Sequence, residues 1–314
     1  YIMQVNVQIV LATYNGELFL QQQIESLLQQ TYSDFTILIR DDGSTDKTLD
    51  ILQTYQEKYP SKFIFLNDEK KNVGATQNFG ILLSHSTSNY IFFCDQDDVW
   101  MPNKVALSLN KLKELESGNT AIPCMIYSDM QSIDERGNVI AHSVWQQLKL
   151  SPKYFILNRL LIQNIPHGCT MGINKAMRDI AVPIPSSAIL HDHWIALLSS
   201  MFGKHFAFEQ TLVQLRNHAS NVTRKRTSFQ DKWKRYSSNL FDKTTYEYFI
   251  KIRVAQAKAV LQRTCSMATA TQKELLNEFV QLENEKGWTR KKILLKNKFY
   301  RNTFWHTLKM ILRA

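Results

Sequence analysis

Tyr90-Ile91-Phe92-Phe93-Cys94-Asp95-Gln96-Asp97-Asp98-Val99-Trp100 decides how the rest of the chain is read. Its first five residues are apolar or aromatic and predict a buried strand, and three carboxylates crowd the four positions after it. Carboxylates so close repel one another unless a cation or hydrogen-bond donors offset their charge. Asp95 and Asp97 occupy alternate positions, so a bend in the chain turns both toward one point. Oxygen ligands of this type suit a hard divalent ion, Mg2+ or Mn2+, that bridges to substrate phosphates. An acidic turn after an ordinary core strand would contain the same residues, and the preceding ninety residues decide against it.

Val5–Leu11 opens the chain as a strand and ends at Ala12-Thr13-Tyr14-Asn15-Gly16-Glu17. Leu20, Ile24, Leu27 and Leu28 follow at helical spacing. Phe35–Ile39 is a second strand, stopping at Arg40-Asp41-Asp42-Gly43-Ser44-Thr45-Asp46, where Ser44 or Thr45 is expected to cap the helix carrying Leu49, Leu52 and Tyr55. Phe63–Leu66 predicts a third strand, followed by Asn72-Val73-Gly74 and a helix near Ala75–Leu83. Such alternation predicts an α/β, Rossmann-like domain with a mostly parallel central sheet covered on both faces. Ligands bind such sheets at the carboxyl ends of the strands, and each polar cluster just named sits at one. No GxGxxG and no GxxxxGK[ST] is present, so neither a dinucleotide fingerprint nor a P-loop explains these loops.

Among the 314 residues, 44% are hydrophobic, enough for a sizeable core. There is no run of eighteen apolar residues, and no secretory leader is read at the start. Cys94, Cys124, Cys169 and Cys265 lack zinc or CxxC spacing and read as reduced thiols of a cytoplasmic protein. The net charge of +10 is uneven: residues 222–314 hold 21 Lys/Arg against 7 Asp/Glu, whereas the remainder is slightly acidic. That asymmetry points to an anionic partner for the C-terminal part.

Taken together, Ala12–Gly16, Asp41–Asp46, Asn72-Val73-Gly74 with Asn78, and Asp95-Gln96-Asp97-Asp98 resemble the successive motifs of family 2 glycosyltransferases, nucleotide-sugar enzymes of the type A glycosyltransferase fold. The run from Asp95 to Trp100, with Pro102 and Lys104, is similar to the bacterial rhamnosyltransferase-like branch that builds cell-wall and capsular polysaccharides. The likeness is strong over about the first 105 residues and reaches Asn221 more weakly. It implies that Thr13, Tyr14, Asn15, Glu17 and Asp41 line the donor's base and ribose, with Asp42 and Asn78 as further candidates. A carboxylate there accepts from the N3–H of uracil or thymine, a donor that cytosine lacks. The resemblance also implies that Asp95 and Asp97 hold the metal and that Asp98 contacts the sugar. It places Asp129 near the donor sugar, and Trp100 with Pro166-His167-Gly168-Cys169-Thr170 on the acceptor side.

Leu190-His191-Asp192-His193-Trp194 is the second chemical centre and begins an apolar helix. A carboxylate at a helix N-terminus is favoured as a simple cap. It equally suits a general base, because a sugar hydroxyl is a weak nucleophile until its proton is taken. By resemblance Asp192 is that base, and His191 stands where an acid often precedes it. Thr211–Asn221 resembles the family's Arg-x-His-x-x-Asn ending, which would bring Arg216 to the diphosphate and His218 to the diphosphate or metal. The Gln-x-x-Arg-Trp motif of processive synthases is absent, which argues for addition of one or a few sugars.

Residues 1–222 are therefore expected to form the catalytic domain, and 223–314 a basic helical region. Arg290–Arg313 holds eight Lys/Arg, no acid and several aromatics, a pattern that suits an anionic membrane surface; a second copy of the chain, giving a homodimer, is the alternative. No nucleic-acid-binding module accompanies the charge. The expected reaction is inverting, metal-dependent transfer of L-rhamnose from dTDP-rhamnose to a lipid-linked glycan at the inner face of the plasma membrane. A UDP-sugar donor and a non-catalytic sugar-nucleotide-binding subunit are the rival readings.

Overall fold

The computed structural model describes residues 6–218 and 243–314. The first half alternates as expected: β1 (Val7–Thr13), α1 (Leu20–Leu28), β2 (Thr36–Asp41), α2 (Thr48–Lys58), β3 (Phe63–Phe65), α3 (Ala75–His85), β4 (Tyr90–Asp95), β5 (Val99–Trp100) and α4 (Lys104–Glu116). Then come β6 (Cys124–Ile133), β7 (Val139–Ala141), α5 (Val144–Leu148), α6 (Leu157–Leu160), β8 (Gly172–Asn174), α7 (Lys175–Ala181), α8 (His191–Phe202) and β9 (Lys204–Arg216). Four helices close the chain: α9 (Lys243–Thr264), α10 (Ala270–Gln281), α11 (Gly287–Lys296) and α12 (Phe304–Arg313).

Among the described residues the strands form one nine-stranded sheet, ordered β3-β2-β1-β4-β8-β6-β9-β5, with β7 on β6. β1, β2, β3, β4, β6 and β9 run one way, while β5, β7 and β8 oppose them, so the sheet is mostly parallel. β1 and β4 are in register from Val7↔Tyr90 to Ala12↔Asp95, and β1 with β2 from Gln8↔Thr36 to Thr13↔Asp41. The sequence's polar clusters therefore emerge side by side at one sheet edge.

Both faces are covered because alternate strand residues point opposite ways. Val10, Leu38, Ile91 and Phe93 face α3 and α8; Ile9, Leu11, Ile37 and Ile39 face α1 and α4. The first of these cores also takes in the C-terminal helices. On α9, Tyr246, Ile250, Val254 and Ala257 are buried there and Phe249 packs against them, with Leu276, Phe279, Leu294 and Met310 from the three later helices. These helices share a core with the sheet of the N-terminal half rather than building one of their own; the boundary expected near residue 222 lies outside the described residues.

Three local expectations change. Neither Ser44 nor Thr45 caps α2: Ser44 Oγ donates to Asp41, and Asp46 accepts from the Thr48 N–H at 3.0 Å instead. The acceptor-side loop expected at Pro166–Thr170 ends in a 3-10 turn at Gly168–Thr170, and the strand after it starts at Gly172, because β8 pairs with β4 only from there. The basic helical segment near the end is two helices, broken where Lys298 turns left-handed (φ 52°) and Thr303 restarts the helix by accepting from His306 N–H.

Phe279 on α10 meets Phe299 edge-on at 4.9 Å with no exposure. Phe279→Ala is expected to cost about 3–5 kcal/mol of stability. Because the core is shared, urea unfolding followed by tryptophan fluorescence and by circular dichroism should remain one coincident transition at a lower midpoint. Two separated transitions would show that the terminal helices fold apart from the sheet.

Candidate functional site

The loop after β1 is held against the loop after β2 by side chains from both. Thr13 Oγ1 donates to Asp41 Oδ2 at 2.8 Å, Asn15 N–H to Ser44 Oγ at 2.8 Å, and Thr45 N–H to Asn15 Oδ1 at 2.8 Å. Glu17 N–H donates to Asp46 at 3.0 Å, and Glu17 accepts from Lys47 N–H at 3.0 Å. Asn15 sits at φ 48°, a left-handed conformation that asparagine tolerates better than most residues. Tyr14 remains exposed. Asp41 accepts four donors: Thr13 and Ser44 hydroxyls on Oδ2, and Gly43 and Ser44 N–H on Oδ1. A base N–H at Asp41 would share an oxygen already in use, so its established work in the fold is to shape the loop.

Asp42 and Asn78 are engaged within the fold. Both are buried on Arg40, which donates to Asp42 at 3.0 Å and to Asn78 Oδ1 at 3.1 Å. Asp42 also accepts the Val73 and Gly74 N–H groups at 3.0 and 2.8 Å, tying the loop before α3 to the end of β2. A buried guanidinium requires such partners, and Asp68 supplies the remainder.

At the end of β4, Gln96 takes a role the sequence did not disclose. Its amide clasps Tyr14, accepting from the N–H at 2.8 Å and donating to the carbonyl at 2.9 Å. A side chain at Gly16 would collide with it, since an added Cβ lies 2.4 Å from Gln96 Oε1. Asp97 and His218 meet directly, with Nε2 2.7 Å from Oδ2. Arg216 is buried, and donates to the Asp97, Asp134 and Glu135 carbonyls and to Gln22 Oε1. Its own N–H reaches Asp98 Oδ1 at 3.1 Å.

Asp192 is the second residue of α8 rather than its cap, which is Leu190. The turn at Gly168 and the preceding Asn164 fix it: Gly168 N–H donates to Oδ2 at 3.0 Å, and Asn164 Nδ2 to Oδ1 at 3.1 Å. Burial pushes its pKa up to about 7. The same happens at Asp95, which burial, then Asp97 and Asp192, raise to about 7. His191 lies between Phe79 and Phe93, at ring separations of 4.1 and 5.3 Å, and burial holds its pKa down at about 3. Its Nε2 would be 2.4 Å from a Cβ at Gly168, so a neutral imidazole packs directly beneath the turn that orients Asp192. His167 supplies the carbonyl that accepts Thr170 N–H and hydroxyl, closing that turn.

Three further candidates are packed into the fold. Asp129 is buried and accepts from Met130 N–H at 2.7 Å, Trp145 N–H at 3.0 Å and the Ser143 hydroxyl, so it anchors the start of α5. Trp100, at 2% exposure, offers no acceptor platform; Lys104 Nζ lies over its ring at 3.4 Å. Cys169 is buried and its thiol pushed up by burial, which sets it behind the carboxylates rather than on the acceptor side.

The acidic cluster fits a hard cation in its charge. Asp98 is fully buried with Oδ2 unpartnered, and burial, then Asp97 and Asp95, raises it well above the carboxylate range. Among the described residues, Asp95, Asp98 and Cys169 place ligand atoms within 4.8 Å of one another. The soft, protonated thiol is a poor match for Mg2+ or Mn2+, which leaves the carboxylate oxygens of Asp95 and Asp98 as the hard donors of that group.

Residues 8–181 match the family described as Glycosyl transferase family 2. An uncharacterised glycosyltransferase of Rickettsia typhi is 26% identical over 252 residues, spanning 79% of this chain and 75% of that one. The dTDP-rhamnosyl transferase RfbG of Shigella flexneri is 35% identical over 135 residues, 42% of each chain. The fold is similar to that of S. aureus TarS residues 1–349 in complex with UDP-GlcNAc (TM-score 0.60, 13% identity, 93% of this chain and 80% of that one). It is also similar to that of the mannosyltransferase PcManGT from Pyrobaculum calidifontis with GDP-Man and Mn2+ (TM-score 0.52, 12% identity, 98% and 86%). With its Asp95–Asp98 cluster at the carboxyl edge of a mostly parallel sheet, the chain belongs to glycosyltransferase family 2.

Proposed function

We propose that this glycosyltransferase moves L-rhamnose from dTDP-rhamnose to a hydroxyl of a lipid-linked glycan, with inversion, at the inner face of the plasma membrane. The observation that carries the mechanism is Asp192, buried at the start of α8 and held on both oxygens by Gly168 N–H and Asn164 Nδ2. Asp192 takes the proton of the acceptor hydroxyl as its oxygen bonds to the anomeric carbon. In the same displacement the bond from that carbon to the diphosphate oxygen breaks, and the nucleoside diphosphate leaves with the electron pair. Asp95 and Asp97 would hold a divalent cation, Mg2+ or Mn2+, whose charge offsets that building on the diphosphate. Gly168 and Asn164 keep Asp192 aimed, and the Tyr14–Glu17 loop, clasped by Gln96, forms the floor for the nucleotide.

The partial likeness to RfbG supports rhamnose as the sugar. A UDP-hexose donor is the second reading, favoured by the fold shared with a TarS complex of UDP-GlcNAc. A non-catalytic nucleotide-sugar-binding subunit is the third; the intact Asp95, Asp97 and Asp192 speak against it.

In a donor panel with Mn2+ and a lipid-linked acceptor, dTDP release should come from dTDP-rhamnose and stop on adding EDTA. Release from a UDP-sugar alone would replace the donor and keep the mechanism, and binding without turnover across the panel would favour the third reading. Asp97→Ala should weaken donor binding, measured by calorimetry, and abolish turnover.

Asp192→Asn should lower kcat by about 10²–10⁴-fold, the usual worth of a positioned base. A base acts deprotonated, so kcat/KM of the wild type should fall as pH drops through about 7. Bound cation charge would move that limb lower, and a rate that climbs on acidification would contradict the assignment. Stability runs the other way. Between the ordinary carboxylate range and about 7 the native state holds the Asp192 proton more tightly than the unfolded chain, so stability falls as pH rises through that window. Asp192→Asn should therefore melt higher than wild type at pH 8 while losing activity.

A further inference from the structure

The terminal helix α12 buries one side and leaves the richer side open. Met310 enters the core. Phe304, Leu308 and Leu312 recur at fourfold spacing on the other side, with Trp305 beside them, a stripe set by the helical period. Phe304, Trp305 and Leu312 are 71, 67 and 66% exposed, and Leu308 is half-buried. Trp288, 78% exposed, stands at the start of α11, which Gly287 N–H ties to the end of α12 by donating to the Ala314 carbonyl at 2.7 Å. Clustered large apolar groups at this exposure mark an interaction surface rather than ordinary surface scatter.

The surrounding charge selects the partner. Residues 286–314 contain no Asp or Glu, while Lys286, Lys292 and Lys298 are exposed and Lys309 and Arg313 lie on α12 itself. A partner protein of mixed surface charge needs acids for its own lysines. An anionic lipid surface wants only cations, with aromatics at headgroup depth. No helix among the described residues is long and apolar enough to cross a membrane, so contact would be made in the plane.

We propose that α12 and Trp288 form a docking face for an anionic bilayer, with Phe304, Trp305, Leu308 and Leu312 in the headgroup region and the lysines against lipid phosphates. The proposal gives the membrane placement in the proposed function a named surface, and rests on that reading for its purpose. Asn302 N–H, just before α12, donates to Gln163 Oε1 at 3.2 Å, and Arg159 donates to the Arg301 carbonyl at 2.8 Å. The docking face is thus joined to the segment whose Asn164 holds Asp192.

The test is co-sedimentation of the full chain with vesicles of phosphatidylglycerol and phosphatidylethanolamine, against pure phosphatidylcholine, with no donor or acceptor present. Binding should favour the anionic vesicles and weaken with salt. Phe304→Ser with Trp305→Ser should lower partition by about tenfold or more, and Lys292→Glu with Lys298→Glu should lower it on anionic vesicles only. Circular dichroism should show both double variants folded, and donor turnover on a soluble acceptor should be unchanged. Equal binding to both lipids, or binding indifferent to both variants, overturns the proposal. So does a wild type that ignores vesicles but is dimeric by light scattering and becomes monomeric in the aromatic variant, which would make the face a contact between copies. Vesicle binding is read without turnover, so loss of the enzymatic reading and loss of this one are told apart.

Discussion

Water is scarce where the sheet ends, and the carboxylates gathered there cannot all be charged at once. Asp95, Asp98 and Asp192 are each raised by burial, and Asp95 and Asp98 are raised further by their acidic neighbours. In a low dielectric, like charges a few ångströms apart cost far more than in water. The chain tolerates this because hydrogen-bond donors are delivered from distant elements: Gly168 and Asn164 to Asp192, Arg216 N–H to Asp98, His218 to Asp97. What these donors leave over is negative charge with a direction, toward whatever cation and diphosphate enter. Lys104 stands behind the cluster, fully buried, its pKa held down at about 7 by burial and its ammonium against Trp100. It tempers the field without meeting an oxygen.

The fold was legible in the sequence wherever apolar periodicity met a polar stop. β1, β2 and β4, with the loops after them, followed directly from Val5–Glu17, Phe35–Asp46 and Tyr90–Asp98, because strand period and turn chemistry agree there. The loop residues' direction was harder. Asp42, Asn78, Asp129 and Arg216 are polar residues beside a site, and in one dimension they cannot be told from residues that support it. Three dimensions separate them, since each turns onto a buried partner: Arg40 for two of them, the α5 backbone for Asp129, and loop carbonyls with Gln22 for Arg216. Trp100 misled for the opposite reason, an aromatic beside carboxylates that packs inward on Lys104.

Gln96 and Asn164 passed unnoticed because amides carry no charge and no distinctive spacing. Gln96 had one signal, its place inside the acidic run, where a side chain must either point at the ligand or brace a neighbouring loop. Asn164 had none. Its contact with Asp192 joins residues 28 apart across a turn that periodicity cannot foresee.

The C-terminal helices matter to the chemistry through that same stretch. Residues 158–164 accept or donate bonds on both sides: Asn158 to the Asn297 carbonyl, Arg253 to the Ile162 carbonyl, Gln163 from Asn302, and Asn164 to Asp192. His193, next to Asp192, reaches the Leu160 carbonyl at 2.6 Å. Such a bridge is rigid only while both flanks are packed, and the helices share one core with the sheet. Asp192 is therefore positioned in part by a basic helical region that lies well beyond it in sequence. Any force on α12 from a surface reaches Asp192 through a short chain of hydrogen bonds, by way of Asn302, Gln163 and Asn164. That gives a physical reason for one chain to carry both parts: the terminal helices and the turn that aims Asp192 are held by the same packing.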